Sequence, residues 1–482
     1  MIIAPVASAR KSRSRSIHVP APMKGMNTAS PMTETPDVYG LRFENLVGRS
    51  DGYHTRQGFE YVAVGLDGPV TTLMAYPSHV VAATSASGAP WQWTTISNPG
   101  GVFLLAVNGS DYLRMYNGTV WTTLQTEYSN IDTRTVASIC THQSRVWLGS
   151  STDLTLYYLP FDALMGPVSS IPLTPVCRKG GAIAAIASMT QDGGRGQSDQ
   201  LLVITTNGEA VLFSGGDPDT SQTWSLVGVW DVPKPIGRRC LVKTGGTIAY
   251  LCTRGLIPIP QVLSKQSADT QQEAISEAIW PTFCADIATG SWEMEESAEH
   301  EVLIVHGPQG QYIKSGTGAW TTWQMPLATT WLNHRGELYF GTSDGSICRY
   351  AGTLDGAVPI NASIIHRYDR YGTPGLKTTS ALRLQYKAAK PYTPRVRFLR
   401  NFADLPATDP VAHYTDGVNY YWEDVTWPRQ PTQWVRPITM RQSPWRSISA
   451  EGMALALTIG MRTTVPIIYT GYDLQYELGA AL

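Results

Sequence analysis

The sequence predicts an all-β protein: a β-propeller with a second β-rich platform unit formed by the N- and C-terminal segments. Three observations carry this. From about Val70 to Tyr350, short β-prone runs alternate with glycine turns. A degenerate strand–turn–strand unit recurs through that stretch. After Ala351 the texture changes to longer alternating strands and a segment dense in Trp and Tyr. The expected division is residues 1–24 as an extended basic arm, 25–66 as the N-terminal part of the platform, 67–352 as the propeller, and 353–482 as the C-terminal part of the platform.

The central runs include Val102–Val107, Val146–Leu148, Leu201–Thr205, Ala210–Phe213, Thr247–Cys252, Glu301–Val305 and Glu337–Phe340. Between them stand Asn108-Gly109, Asn117-Gly118, Asn207-Gly208, Gly245-Gly246, Arg335-Gly336 and Asp344-Gly345. Such dipeptides accept the positive φ of tight hairpin turns, so the runs read as antiparallel hairpins. The repeat is visible in Phe103–Trp121, again in Val302–Trp320, and as a hairpin in Leu338–Tyr350. A spacing of about 40–50 residues per four-stranded unit gives about five or six blades. A series of β-sandwiches would give a similar degenerate pattern. One helix is expected over Asp269–Ala288, with Ala274, Ile275, Ala278 and Ile279 at helical spacing and Pro281 as a break. In the C-terminal part, Ala381–Tyr386, Arg395–Leu399, Met453–Ile459 and Ile467–Tyr476 read as strands.

Composition narrows the function. The 482 residues are 43% hydrophobic, which argues for a folded chain, but only 16% charged, against about 25% on average. A surface so poor in charge suits a subunit that buries much of itself against neighbours. The net charge of −1 argues against a protein that grips nucleic acid by neutralising phosphates. No apolar run approaches the roughly 20 residues of a membrane span, and Met1 to Ser16 lack the apolar centre of a signal peptide. The six cysteines form no C-x-x-C pair and sit in no histidine cluster, so they read as reduced core residues.

The arm carries Arg10, Lys11, Arg13 and Arg15, with no acid before Glu34. It is expected to be unstructured alone and to contact another subunit. Trp and Tyr give large contact area at low entropy cost, which makes Trp422, Trp427, Trp434 and Trp445 interface candidates.

The chemistry of a hydrolase, a nucleotide site or a metal site is not evident. There is no H-E-x-x-H, G-x-S-x-G or P-loop motif. Gly193-Gly-Arg-Gly-Gln-Ser198 lacks the P-loop lysine and reads as a loop. Gly316-Thr-Gly318 reads as a hairpin turn, and Asp217 and Asp219 as a blade-connecting turn without EF-hand spacing. His300 and His306 fall on one face of an expected strand, too far apart to share a metal ion. The one acidic cluster is Glu293, Glu295, Glu296, Glu299 and Glu301. Glu293 and Glu295 could share a strand face as a glycosidase pair requires, but neighbouring charges outside an apolar pattern read as a solvated turn. No catalytic residue, metal or cofactor is expected.

Several strings in order resemble the nozzle, or tail tubular B-type, proteins of short-tailed bacteriophages. They are Pro20-Ala-Pro-Met-Lys-Gly-Met-Asn-Thr28, Leu41-Arg-Phe-Glu-Asn-Leu46 and Arg56-Gln-Gly58. In the centre come Leu212-Phe-Ser-Gly-Gly-Asp-Pro-Asp219, Trp224-Ser-Leu-Val-Gly228, Pro235-Ile-Gly-Arg238, Lys243-Thr-Gly-Gly-Thr247 and Thr253-Arg-Gly-Leu-Ile-Pro258. Tyr469-Thr-Gly-Tyr-Asp-Leu-Gln-Tyr-Glu477 resembles the family's last strands, although the chain finishes Gly479-Ala-Ala-Leu where a glycine pair is expected. The resemblance implies a homo-hexameric ring in the virion tail, below the portal and joined to the adaptor protein. It implies tail fibres or a plug as further partners, genomic DNA in transit without sequence specificity, and no membrane insertion. Candidate channel-lining residues are Arg42, Arg49, Asp51, Glu423 and Asp424, in a wall expected to be neutral or mildly acidic. The alternative function is a glycan-binding or glycan-cleaving propeller. It would need an aromatic platform or a carboxylate pair converging on a propeller face.

Overall fold

The computed structural model describes all residues except 1–13, 88, 193–196, 221, 265–273, 390–391, 393, 404, 406–438 and 480–482. It divides into two compact units. One comprises residues 1–58, 314–323 and 352–482, and the other 59–313 and 324–351.

The second unit is a β-propeller of seven sheets, two more than the lower count the repeat suggests. In chain order the first blade is the hairpin Val70–Tyr76 and His79–Thr84. The second, third and fourth are four-stranded and begin at Gln92–Asn98, Val136–His142 and Ile183–Asp192. The fifth is Leu241–Thr244, Thr247–Cys252 and Gly255–Pro258. The sixth begins at Glu293–Ser297 and the seventh at Ala328–His334. Phe59–Ala63 pairs antiparallel with Ile347–Tyr350 and completes the seventh blade with a strand from the other end of the unit. The propeller therefore starts at Phe59, eight residues before the expected boundary at 67. Trp320, which ends one sequence repeat, lies in the other unit.

Each four-stranded blade is built on short apolar runs that are buried on both faces. Arg145–Ser150 is buried throughout, and Leu105, Val107, Ile139 and Leu148 form one core between the second and third blades. Trp147, Leu156, Leu201 and Val211 form the next, with Trp147 stacked on Trp224 at 5.1 Å. Fully burying one such aliphatic side chain contributes about 1.5–3 kcal/mol. Of the six turn dipeptides, Gly245-Gly246 and Arg335-Gly336 close two-residue hairpins with both φ positive, the geometry a type I′ turn demands. Gln143-Ser144 makes the same turn, at φ 50° and 53°, without glycine. Of the helix expected over Asp269–Ala288, residues 269–273 lie outside the described residues, and the rest holds short pieces: a 3-10 turn Glu277–Ile279 and an α-helix Trp280–Ile287. Pro281 stands at the helix start, where its missing N–H costs nothing, and so begins the helix where the sequence suggested a break.

The first unit is woven from both ends of the chain. Ile467–Leu478 pairs with Lys377–Ala388 on one edge. Its other edge takes Gly52–Thr55 and Arg15–Pro20. In a second group Gly40–Glu44 pairs with Val358–His366, which pairs with Leu455–Thr463. The core is aromatic and polar-tipped. Phe43 stacks on Tyr53 at 4.5 Å, the Tyr53 hydroxyl donates to the Pro22 carbonyl at 2.5 Å, and His366 Nε2 meets the Tyr469 hydroxyl at 2.8 Å. Burial pushes the His366 imidazole down to about 3. The Arg56 guanidinium is fully buried and holds Asp355 through two bonds of 2.7 Å.

The arm expectation needs correction. Arg15–Pro20 is a strand, paired residue by residue with Gly471–Tyr476 of the same chain. Gly471, at φ 151°, sits so close that an added Cβ would come within 2.6 Å of the Val19 carbonyl oxygen. Removing residues 1–24 would therefore remove a paired strand and the buried Ala21, not a loose tail alone.

Candidate functional site

The innermost strands of all seven blades converge on one cavity of about 220 Å³. It is lined by Leu73, Trp93, Ile139, Ile186, Leu241, Met294 and Leu332, one from each blade. Neighbouring inner strands splay apart at a propeller axis, so side chains must join them. Arg239, just before the fifth blade, does most of this. One guanidinium nitrogen donates to Glu293 Oε2 at 2.6 Å and to Thr330 Oγ1 at 3.4 Å. The other donates to Thr72 Oγ1 at 2.8 Å and to the Trp91 carbonyl. Thr72 Oγ1 in turn accepts the Trp91 N–H at 2.9 Å. One side chain thus ties its own blade to the sixth, seventh, first and second.

The acidic cluster divides: Glu299 and Glu301 are exposed in a turn, as expected, whereas Glu293, Glu295 and Glu296 belong to the strand at the axis and are not a solvated turn. Glu293–Ser297 is the inner strand of the sixth blade. Glu295 Oε1 accepts the Asn333 N–H at 2.8 Å, and Glu296 Oε1 accepts the Thr244 hydroxyl at 2.9 Å. Burial drives the Glu295 carboxyl up to about 7, with Glu293 and Glu296 adding repulsion against the pull of Arg239 and the Asn333 bond. His306, 2% exposed, lies 3.9 Å from Glu293, and burial keeps its imidazole below the usual range. His300 lies in the turn before Val302–Gly307 and packs edge-on against Tyr350. Among the described residues no group of three or more His, Cys, Asp or Glu could hold a metal.

Chemically, Glu293 and Glu295 are a carboxyl pair with different environments, as an acid and its partner would need. Two facts oppose hydrolysis. Glu293 is already engaged by Arg239, and the cavity falls short of the ~300–1,000 Å³ typical of ligand pockets. The arrangement works as a pin for the ring.

The residues singled out from sequence are dispersed. Arg10, Lys11, Arg13, Trp422, Glu423, Asp424, Trp427 and Trp434 lie outside the described residues. Arg15 is exposed in its strand. Trp445 is 39% exposed, with the Arg383 guanidinium 4.9 Å from its ring centre. Arg49 and Asp51 share a hairpin tip between Leu46–Arg49 and Gly52–Thr55. Asp51 accepts from His54 at 2.6 Å and Lys387 at 2.9 Å, and these bonds hold its carboxyl down at about 2. Arg42 is not part of that hairpin; it lies on Gly40–Glu44, 3.8 Å from Glu44 of the same strand. Arg239 went unnoticed in the sequence. Its only signal was a pair of arginines, Arg238 and Arg239, between a glycine turn and a strand.

No protein-family model matches the chain, and no curated protein does. Among solved structures, the chain is similar to BBS1N in complex with ARL6DN at 11% identity, with 62% of this chain and 99% of that one covered and a TM-score of 0.39. It is similar to the WD40 β-propeller domain of Doa1 at 11% identity, covering 61% and 97%, with a TM-score of 0.29. It is also similar to Chaetomium thermophilum Raptor at 11% identity, covering 63% of this chain and 29% of that one, with a TM-score of 0.41. The chain is an all-β protein whose larger unit is a β-propeller.

Proposed function

We propose that this chain is a structural subunit of a short-tailed phage tail, a nozzle-type protein that extends the DNA channel and helps retain and eject the genome. The observation that supports this reading is the way the platform is assembled. Its strands come from the first 58 residues, from residues 352–482 and from the short segment 314–323, with most of the propeller inserted between the terminal segments in sequence. That is the plan the nozzle resemblance implies, with the terminal segments as tube wall. In this reading six copies form a ring, the adaptor protein binds on the head side, and fibres or a plug attach below. The work is mechanical and needs no catalytic residue.

Passing DNA sets an electrostatic condition. Each neutralised phosphate adds salt-dependent affinity, so a sliding genome requires few unpaired cations on the wall. Arginine and lysine outnumber aspartate and glutamate in the platform's segments, so this reading requires that matched pairs, such as Lys387 with Asp51 and Arg383 with Asp473 at 2.6 Å, face the channel and that the excess cations do not. The test is native mass measurement with low-resolution imaging of tails from purified particles. A six-fold ring containing this chain is the expected result. Isolated monomers only, in the native particle, would sink the proposal.

A further inference from the structure

The first blade of the propeller is incomplete. Val70–Tyr76 and His79–Thr84 form a two-stranded sheet, whereas the second, third and fourth blades each hold four strands. Tyr76 and His79 flank the two-residue turn Pro77-Ser78, so they are a hydrogen-bonded pair and the pairs alternate from there. Val80 and Ala82 therefore turn their N–H and C=O groups away from the partner strand. Both faces of the hairpin are already covered. Ala82 and Val80 pack toward Leu73 and Leu332, while Ala83 and Val81 pack toward Trp91 and Leu104. Among the described residues no strand pairs with the outer edge at Val80 and Ala82, and an open edge with outward backbone groups is a template for another strand.

Beside this edge lies an apolar pocket of about 160 Å³, between Ala82 and Ala83 on one side and Trp91, Ala106 and Trp121 on the other. It is smaller than the ~300–1,000 Å³ of small-molecule pockets, and its size suits a single side chain. Arg114 lines it, with its guanidinium 4.9 Å from the Trp91 ring centre. Among the described residues no carboxylate is recorded in an ion pair with Arg114. Trp121 and Val120 at the rim are 37% and 60% exposed.

We propose that the outer edge at Val80–Ala82 accepts an extended segment of another protein as a third strand. That segment places one aromatic or branched apolar side chain in the Trp91–Trp121 pocket and an acidic residue against Arg114. The backbone ladder supplies affinity, and the pocket with its one cation supplies register and choice. This inference rests on the propeller alone and stands whether or not the chain is a tail subunit.

The experiment screens a random-peptide display library against the full chain, then measures the selected peptides against variants. Ala82→Pro removes one outward N–H at an edge position where proline is tolerated, and thermal melting checks that the variant is folded. The expected result is a set of peptides alternating an apolar and an acidic residue, bound about tenfold or more weakly by Ala82→Pro and by Trp121→Ala. Arg114→Glu should redirect selection to basic peptides. Failure to enrich any peptide, or binding indifferent to Ala82→Pro and Arg114→Glu, overturns the proposal. Concentration-dependent self-association that Ala82→Pro abolishes also overturns it, in favour of a second copy of this chain.

Discussion

The two units hold their sheets together in opposite ways. In the propeller, every blade but the seventh is built from one continuous stretch of chain, and the blades meet at a polar axis pinned by Arg239 and Glu293. In the platform, strands fall into two sheets whose neighbours come from opposite ends of the sequence, as in Arg15 beside Tyr476 and Gly40 beside His366. Its buried polar groups include tyrosines, a neutral histidine, the Arg56–Asp355 pair and Lys377, whose ammonium donates to three backbone carbonyls at 2.6–2.8 Å. The comparison teaches where each unit is vulnerable. Locally built blades need a device to close the ring, and the device is ionic. A sheet woven from the chain termini closes itself through backbone pairing and depends on both termini being present.

Removing the pin should produce the largest effect. Arg239→Ala leaves Glu293 buried without its cation and frees Thr72 and Thr330 from a shared donor. Breaking a buried pair from one side costs about 3–5 kcal/mol. Denaturant unfolding should show an early transition carrying the signal of the propeller tryptophans. A loss under about 1 kcal/mol, within the range of exposed ion pairs, would show that the ring closes without the axis.

Glu295 sharpens the same contrast through pH. Its carboxyl rises from 4.5 to about 7 in the folded chain. Between those values the folded state keeps a proton that the unfolded state has released. Stability from this group is therefore full below about pH 4.5 and falls as pH rises through about 7. Glu295→Gln keeps an oxygen for the Asn333 N–H and cannot ionise. It should match wild type at pH 4 and exceed it at pH 8, by up to about 3 kcal/mol. Equal stability of the two proteins at both pH values would remove Glu295 from the account of the axis.

The sequence disclosed the local half of this comparison better than the long-range half. The short apolar run Leu201–Thr205 and the turn at Gly245-Gly246 are written into neighbouring residues, so strands and hairpins were legible. The seventh-blade closure by Phe59–Ala63 was not, because nothing local says that these residues pair with Ile347–Tyr350. The strand at Arg15–Pro20 was hidden for the same reason: its basic, proline-ended composition reads as a solvated arm until Gly471 makes room for it. The acidic cluster misled at Glu293, Glu295 and Glu296, because these carboxyls are matched by Arg239 and by the Asn333 and Thr244 donors, all distant in sequence. At the axis, one guanidinium satisfying several blades replaced the apolar pattern that usually marks burial.

The smallest effect on folding should come from Trp445, where the platform meets solvent. Its indole is 39% exposed and lies under Arg383, which is also bound to Asp473 at 2.6 Å. A cation–π contact at an exposed site contributes about 0.5–1 kcal/mol, and Arg383 retains Asp473 when the ring is removed. Trp445→Ala should therefore lower the stability of the isolated chain by no more than about 1 kcal/mol. If Trp445 is an interface residue, the same substitution should weaken ring assembly far more than it weakens folding, because a desolvated Trp contributes most at the centre of a contact. Melting and assembly measured side by side separate the two roles. A variant that assembles normally would place Trp445 outside the subunit interface and confine its part to shielding the Arg383–Asp473 pair.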